Sequence, residues 1–322
     1  MKTKLNTSNV GISRKQQMKN IFYGNFPLLG LIFVVIVLGI ATEGNLFSSY
    51  NLKAMRSQVF LCMLGGLGVI YLFAQGGLDL SMASSISLAC ILGARVMMVN
   101  IPLGIVVTIL VGVAVGTLMG FMYAYGGIPV FILGLSMNYL LSGLLWPLCD
   151  GMSSIPVSKT LTDLKSGTLE IVILAVVLLI TILVYNYTKF GKECRAIGAG
   201  FVSAVQSGVN VARCKVIAFM ISGLTCGVVA LCTLIRTGSA NVNSGANFNF
   251  NVMLSMILGG CVMGGGAGVR IRNAIIGVVL LIVLQSGLSI LGVPARTQEI
   301  IKGILFIIMI LLTNKLTKKV QK

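Results

Sequence analysis

The chain has 322 residues, of which 57% are hydrophobic and only 10% charged, with a formal net charge of +17. Soluble domains carry about 25% charged residues, and a chain this poor in charge could not keep its surface in water. The composition therefore excludes a soluble fold and places most of the polypeptide inside a lipid bilayer.

Residues 1–21 are polar and basic, with Lys2, Lys4, Arg14, Lys15 and Lys19. The apolar stretch 22–41 is long enough to span a bilayer and no small-residue cleavage site follows it. It reads as a retained first helix rather than a signal peptide. Further apolar runs lie at about 59–74, 81–99, 101–124, 129–147, 169–187, 216–234, 252–263, 274–291 and 300–312. The fold class read from this pattern is all-α, a polytopic membrane protein with about ten transmembrane helices. The runs near Val59 and Val252 are the shortest and abut glycine-rich or asparagine-rich segments, as expected where irregular backbone lines a cavity. One transmembrane domain thus covers 22–312, with a connection at 188–215 and a basic tail at 313–322.

Ten spans put both termini on one side of the membrane. With the N-terminus inside, the inner segments hold sixteen Lys and Arg residues and the outer loops six. That positive-inside bias sets the expectation of N-in and C-in. The same distribution argues against nucleic acid as a partner, because the cations sit in short connections rather than in a stripe interleaved with aromatics.

Several chemistries are excluded. Histidine is absent, and the seven acids are Glu43, Asp79, Asp150, Asp163, Glu170, Glu193 and Glu299. An ion-driven carrier, the rival transport class, usually needs paired ionisable groups or a dedicated ion site at membrane depth. The eight cysteines form no CxxC pair and fall in apolar runs, so they read as small core hydrophobes. No GxxxxGK[ST] loop is present, so the chain itself has no cradle for ATP. These absences together make a membrane enzyme improbable.

Five segments carry chemical information. In Gln75-Gly-Gly-Leu-Asp-Leu-Ser81, two glycines release the backbone, and Asp79 can accept hydrogen bonds from free amides where the next helix starts. Asp79 is either a helix cap or the group that fixes a broken helix beside a translocation path. The connection 188–215 contains a short helix at 199–206, where Phe201, Val202 and Val205 recur at helical spacing before Ser207, Gly208, Val209 and Asn210. An apolar patch on a basic loop suits either docking into another protein's groove or lying on the lipid interface. Asn241, Asn243, Asn247, Asn249 and Asn251 crowd one segment, which fits a tightly turned loop or contacts to a hydroxyl-rich solute. Finally, Ser136, Asn138 and Ser142 in the fifth span, and Gln285 and Ser289 in the ninth, are polar positions at membrane depth. Polar groups facing lipid are costly, so these face protein or water and are candidates, with Asp79, Asn249 and Asn251, for lining a path.

The string Gly76-Gly77-Leu78-Asp79-Leu80-Ser81 resembles the GGxDLS signature of the sugar-type ABC importer permeases. That group serves ribose, xylose and galactose and has the autoinducer-2 permeases among its relatives. Phe190-Gly191, Ala196-Ile197-Gly198 and Ser207–Val211 followed by Lys215 are similar to that family's cytoplasmic coupling region. Leu258-Gly259-Gly260, Gly265-Gly266 with Gly268, and Leu291-Gly292-Val293 before Ile301-Lys302-Gly303 are similar to its C-terminal half. The chain departs from the pattern at Gly200, Phe201 and Val202, where polar residues are usual. Asn249 and Asn251 stand in place of acids, and Ala267 in place of an arginine.

The resemblance implies a non-enzymatic permease subunit that binds no cofactor of its own. It implies three partners: an ATPase subunit holding ATP and magnesium, an extracellular or periplasmic solute-binding protein, and a second permease chain, identical or not. The expected solute is a monosaccharide, with an autoinducer or a nucleoside as the alternatives. The resemblance also implies that Phe201, Val202, Val205, Ser207, Gly208, Val209 and Asn210 contact the ATPase.

Overall fold

Residue identity sets the centre of the molecule first. From Phe60 to Ala74 the helix α2 (Ser49–Ala74) is apolar on every side, and nearly every residue of this stretch is buried. A helix apolar all round belongs in a core, and the others assemble about it. A computed structural model of the protein describes residues 14–150, 152–163, 167–261, 265–266 and 268–320. The charged stretch 1–13 lies outside these residues, as do Gly264 and Ala267 of the glycine cluster.

The remaining helices follow in chain order: α1 (Arg14–Ala41), then after α2 come α3 (Met82–Met97), α4 (Ile101–Tyr125), α5 (Val130–Leu148), α6 (Lys159–Thr162) and α7 (Gly167–Ile182). Beyond a π-turn at 183–187 lie α8 (Lys189–Ala199), α9 (Phe201–Gln206), α10 (Val211–Thr237), α11 (Phe248–Leu258), α12 (Ile271–Ile290) and α13 (Ala295–Val320). Two short strands, β1 (Ile155–Pro156) and β2 (Ser239–Ala240), pair antiparallel. The protein is an all-α membrane protein. Six of the described helices are long and apolar enough to cross a membrane, and 27–41, α3 and α11 are shorter apolar helices.

Three expectations change. The run near Val59 is not short, because α2 starts ten residues earlier, at Ser49. Its polar first turns survive because each finds a partner: Asn51 receives a 2.6 Å hydrogen bond from Ser286, and Ser57 donates to Glu170 at 2.7 Å beside Arg56. Lys53 and Arg56 therefore sit on a helix rather than in a loop. The helix near Val252 begins earlier, at Phe248, and stops at Leu258; residues 262–263 lie outside the described set. Lastly, Lys189–Ala199 is helical, which its two internal glycines conceal. Gly191 and Gly198 are there because α8 lies against backbone, with Gly198 facing the Ala74 carbonyl and the Gly266 amide.

The tightest seam joins α4 to α10. Gly112, Gly116 and Gly120 recur every fourth residue on α4 and face Gly227, Gly223 and Val216 of α10. A Cβ built at Gly116 would lie 2.7 Å from the Cα of Gly223, far inside the ~3.5–4.0 Å of carbon contact. Small residues at four-residue spacing allow this approach and hold helices together by dispersion where no hydrophobic drive exists in lipid.

All eight cysteines are free and buried. On α8, burial pushes the Cys194 thiol up to about 12, which leaves almost no thiolate near neutral pH. We expect no modification of the native cysteines by a water-soluble maleimide in detergent micelles, followed by stoichiometric reaction once the protein is denatured. Labelling of any one in the folded state would contradict the packing described.

Candidate functional site

α10 has 27 residues and is therefore ~40 Å long, enough to separate two ends of the molecule. The β1–β2 ribbon lies at its C-terminal end, whereas α8 and α9 gather at its N-terminal end. Ile197, Ala204, Val211 and Cys214 form a small buried cluster there, with Val209 packed against it. The cluster turns the rest of α9 outward: Phe201, Val202 and Val205 are 56%, 65% and 49% exposed. Ser207 donates back to the Ser203 carbonyl at 2.8 Å, and Gly208 makes the following turn at φ +78°. Asn210 caps α10 by accepting from the Arg213 amide at 3.0 Å. The seven residues singled out from the sequence thus divide into an exposed apolar trio and four that shape the turn behind it. Lys215, one turn into α10, places its ammonium 4.0 Å from the Tyr123 ring and 6.0 Å from that of Phe201, tying the patch to α4.

The segment 75–81 is the second element of the site. α2 ends at Ala74, beside the patch, and the chain then travels without helix along α10 before α3 begins. Irregular backbone at this depth is tolerated only where protein or trapped water satisfies it. Gln75 donates to the Cys194 sulfur at 3.1 Å and to the Cys214 carbonyl at 3.2 Å. Asp79, 4% exposed, accepts from the Ser81 amide at 3.0 Å, the Ser81 hydroxyl at 2.7 Å and, across the helix interface, the Ser222 hydroxyl at 2.7 Å. Asp79 is therefore more than a cap, because its second oxygen pins this segment to the middle of α10. Residues 75–81 are thus a non-helical break between α2 and α3, and α3 begins only at Met82.

The asparagine-rich segment resolves into turn and helix. Asn241 accepts from the Asn243 amide at 2.9 Å, and Asn247 takes the left-handed conformation at φ +59° while its side chain donates to Glu299. Asn249 and Asn251 lie in the first turn of α11 rather than in the loop. Asn249 donates to the Leu80 carbonyl at 3.0 Å, so α11 and α3, the two short helices, begin side by side. The Asn251 carbonyl oxygen accepts from Gln285 at 3.1 Å and from Lys302 at 3.2 Å. Ser289 donates to the Gln285 carbonyl at 2.9 Å and accepts from Gln298 at 3.1 Å. The polar positions of α11 and α12 therefore converge.

Those of α5 do not join them. α5 packs mainly on α3 and α4, through Leu133, Gly134, Met137, Leu141 and Leu145. Asn138 and Ser142 are half-buried on one flank of that face. Ser136, two positions from Asn138 and so about 200° round the helix, is exposed on the other side. The pairing of Asn138 with Ser142 holds, and Ser136 stands apart from it.

Sequence reading names Gln75 and Lys302 only as members of motifs, without their partners, and misses Ser222. A lone Gln, Ser or Lys in an apolar run gives no signal of its partner, which lies up to 143 positions away. The glycine seam did carry a signal, the four-residue spacing of Gly112, Gly116 and Gly120.

Residues 51–310 match the family described as branched-chain amino acid transport system, permease component. The chain belongs to this permease family. As a permease component it is a transport subunit and not an enzyme. Its relatives include the ribose import permease protein of Escherichia coli (strain K12), 26% identical over 299 residues, covering 88% of this chain and 92% of that protein. The ribose import permease protein of Bacillus subtilis (strain 168) is 28% identical, over 90% of this permease and 92% of its own length. The D-allose transport system permease protein of Escherichia coli (strain K12) is 25% identical, with 92% of each covered. No solved structure matches this permease.

Proposed function

We propose that this permease is the membrane-spanning subunit of an ATP-driven importer of a monosaccharide in a bacterial inner membrane. It works with an ATPase subunit that holds ATP and magnesium, an extracellular or periplasmic solute-binding protein, and a second permease chain. The observation that carries the reading is the coverage of ribose and D-allose permeases over nine-tenths of their length, beyond what a shared motif would give. Ten spans with both termini inside fit the bias of sixteen inner to six outer cations, with 22–312 as the transmembrane domain. In this orientation α8 and α9 face the cytoplasm.

The exposed trio Phe201, Val202 and Val205 is the surface offered to the ATPase. Phe201→Asp puts a charge in the centre of that patch, and Gly208→Arg alters the turn behind it, where a Cβ meets nothing within 4 Å and only the left-handed backbone is strained, by about 1–2 kcal/mol. Both variants insert normally, fail to co-purify with the ATPase and lose ATP-dependent uptake in proteoliposomes. Normal transport by both would remove the docking assignment. Uptake that persists without any ATPase and follows an ion gradient would instead make the protein a secondary carrier.

The path is formed between two permease chains from weak, neutral polar contacts suited to a hydroxyl-rich solute. Asn138 with Ser142 is one such contact, and the region of Asn249, Asn251, Gln285 and Ser289 is another. Asn138 is half-buried with no hydrogen-bond partner among the described residues, whereas Gln285 is held by Asn251. Asn138→Cys in the assembled importer reacts with a water-soluble maleimide at a rate that changes during ATP turnover. Gln285→Cys reacts at least about tenfold more slowly in the resting state. Inertness of Asn138→Cys in every state would move the path off α5.

A further inference from the structure

We infer that residues 75–81 relay movement of the docking face to the path, and that Ser222 is the positioning residue that fastens this relay to α10. The inference rests on the reading of α8 and α9 as the ATPase-facing surface.

Three elements hold the segment, in order along its length. Gln75, at its start, bonds Cys194 of α8 and the Cys214 carbonyl of α10. Asp79, four residues on, bonds Ser222, which lies eight residues beyond Cys214 and so ~12 Å further along α10. Leu80 then offers its carbonyl to Asn249 on α11. The segment is neither helix nor strand; the amides of Gln75, Gly76 and Gly77 turn back onto the last turn of α2, and beyond them side chains of other elements help fix its place. Those elements are stiff. Gly223, next to Ser222, is in backbone contact with Gly116, so α10 carries α4 with it. Displacing the α10 end that bears the patch must therefore drag Asp79, and with it the point where α3 and α11 begin.

The link runs through a buried carboxylate. Asp79 has hydroxyls and one amide as its described partners, and no described cation touches it. A carboxylate buried in this way keeps its place only while those donors point at it. Physical coupling between two sites needs an element that both of them bias, and this segment touches both.

The test uses the complete importer, permease with ATPase and binding protein, in proteoliposomes. Ser222→Ala removes the donor without adding volume. The expected result is normal co-purification with the ATPase and ATP hydrolysis within about twofold of wild type, with at least about fivefold less solute imported per ATP. Thr225→Val, one turn along α10, removes a hydrogen bond that stays within the helix and leaves that ratio unchanged. Gln75→Leu frees the other end of the segment and lowers the ratio as Ser222→Ala does, so it answers for Ser222→Ala if that variant does not fold. A wild-type ratio in both variants overturns the relay. Loss of ATPase binding in both, or failure of both to assemble, overturns it too, because the segment would then build the docking face rather than relay from it. The docking reading fails separately, through Phe201→Asp that still binds the ATPase.

Discussion

Replacing Gly116 by leucine will force α4 away from α10 and cost the protein about 3 kcal/mol, the upper end of ordinary overpacking penalties. The cost is high because the obstruction is backbone: the new Cβ would meet the Gly223 Cα at 2.7 Å, and no rotamer change relieves it. The two helices must separate along their whole seam, since Gly112 and Gly120 hold the same distance one turn either way. Ser222 and Phe219, on the same face of α10, then lose their positions as well. The measurement is thermal unfolding of the detergent-purified permease, followed by the loss of its monodisperse peak. Gly143→Leu on α5, where a Cβ meets nothing within 4 Å, supplies the control and unfolds like wild type. Equal midpoints for both variants would show that the seam is not close-packed.

Asp79→Leu is the second large effect, also about 3 kcal/mol. It strips the acceptor from three donors at once, and each buried donor left without a partner costs about 1–3 kcal/mol before hydroxyl rotation recovers part of it. Asp79→Asn behaves differently. Its amide oxygen still accepts from Ser81, and its NH2 can donate to a Ser222 hydroxyl that rotates to receive it, so the loss is about 1 kcal/mol. Expression, thermal stability and uptake should therefore rank wild type, Asn, Leu, with the larger gap before Leu. Equal activity of all three would make the carboxylate a bystander in both packing and transport.

The order of these effects shows how far sequence reaches in a bilayer protein. Hydropathy alone gave the all-α membrane class, because the cost of unsatisfied backbone in lipid leaves the helix as the only open-ended solution. Helices occur within every apolar run described, including those at 101–124, 129–147 and 274–291, whose bounds shift by few residues. The apolar trio on α9 was also legible, since Phe201, Val202 and Val205 have no neighbouring apolar run to cover them. What sequence did not decide was which polar residue meets which. Residues 49–58 lay outside the apolar run read from the sequence and proved to be helix, with Asn51 and Ser57 meeting Ser286 and Glu170 from elsewhere. Asp79 read as either a cap or the anchor of a broken helix, Asn251 and Gln285 as separate path positions; their partners are Ser222, Lys302 and one another. In an apolar chain a lone polar side chain announces only that it needs a partner. Which partner it takes is fixed by the crossing of helices distant in sequence, and that crossing was set here by glycines close enough to let two backbones touch.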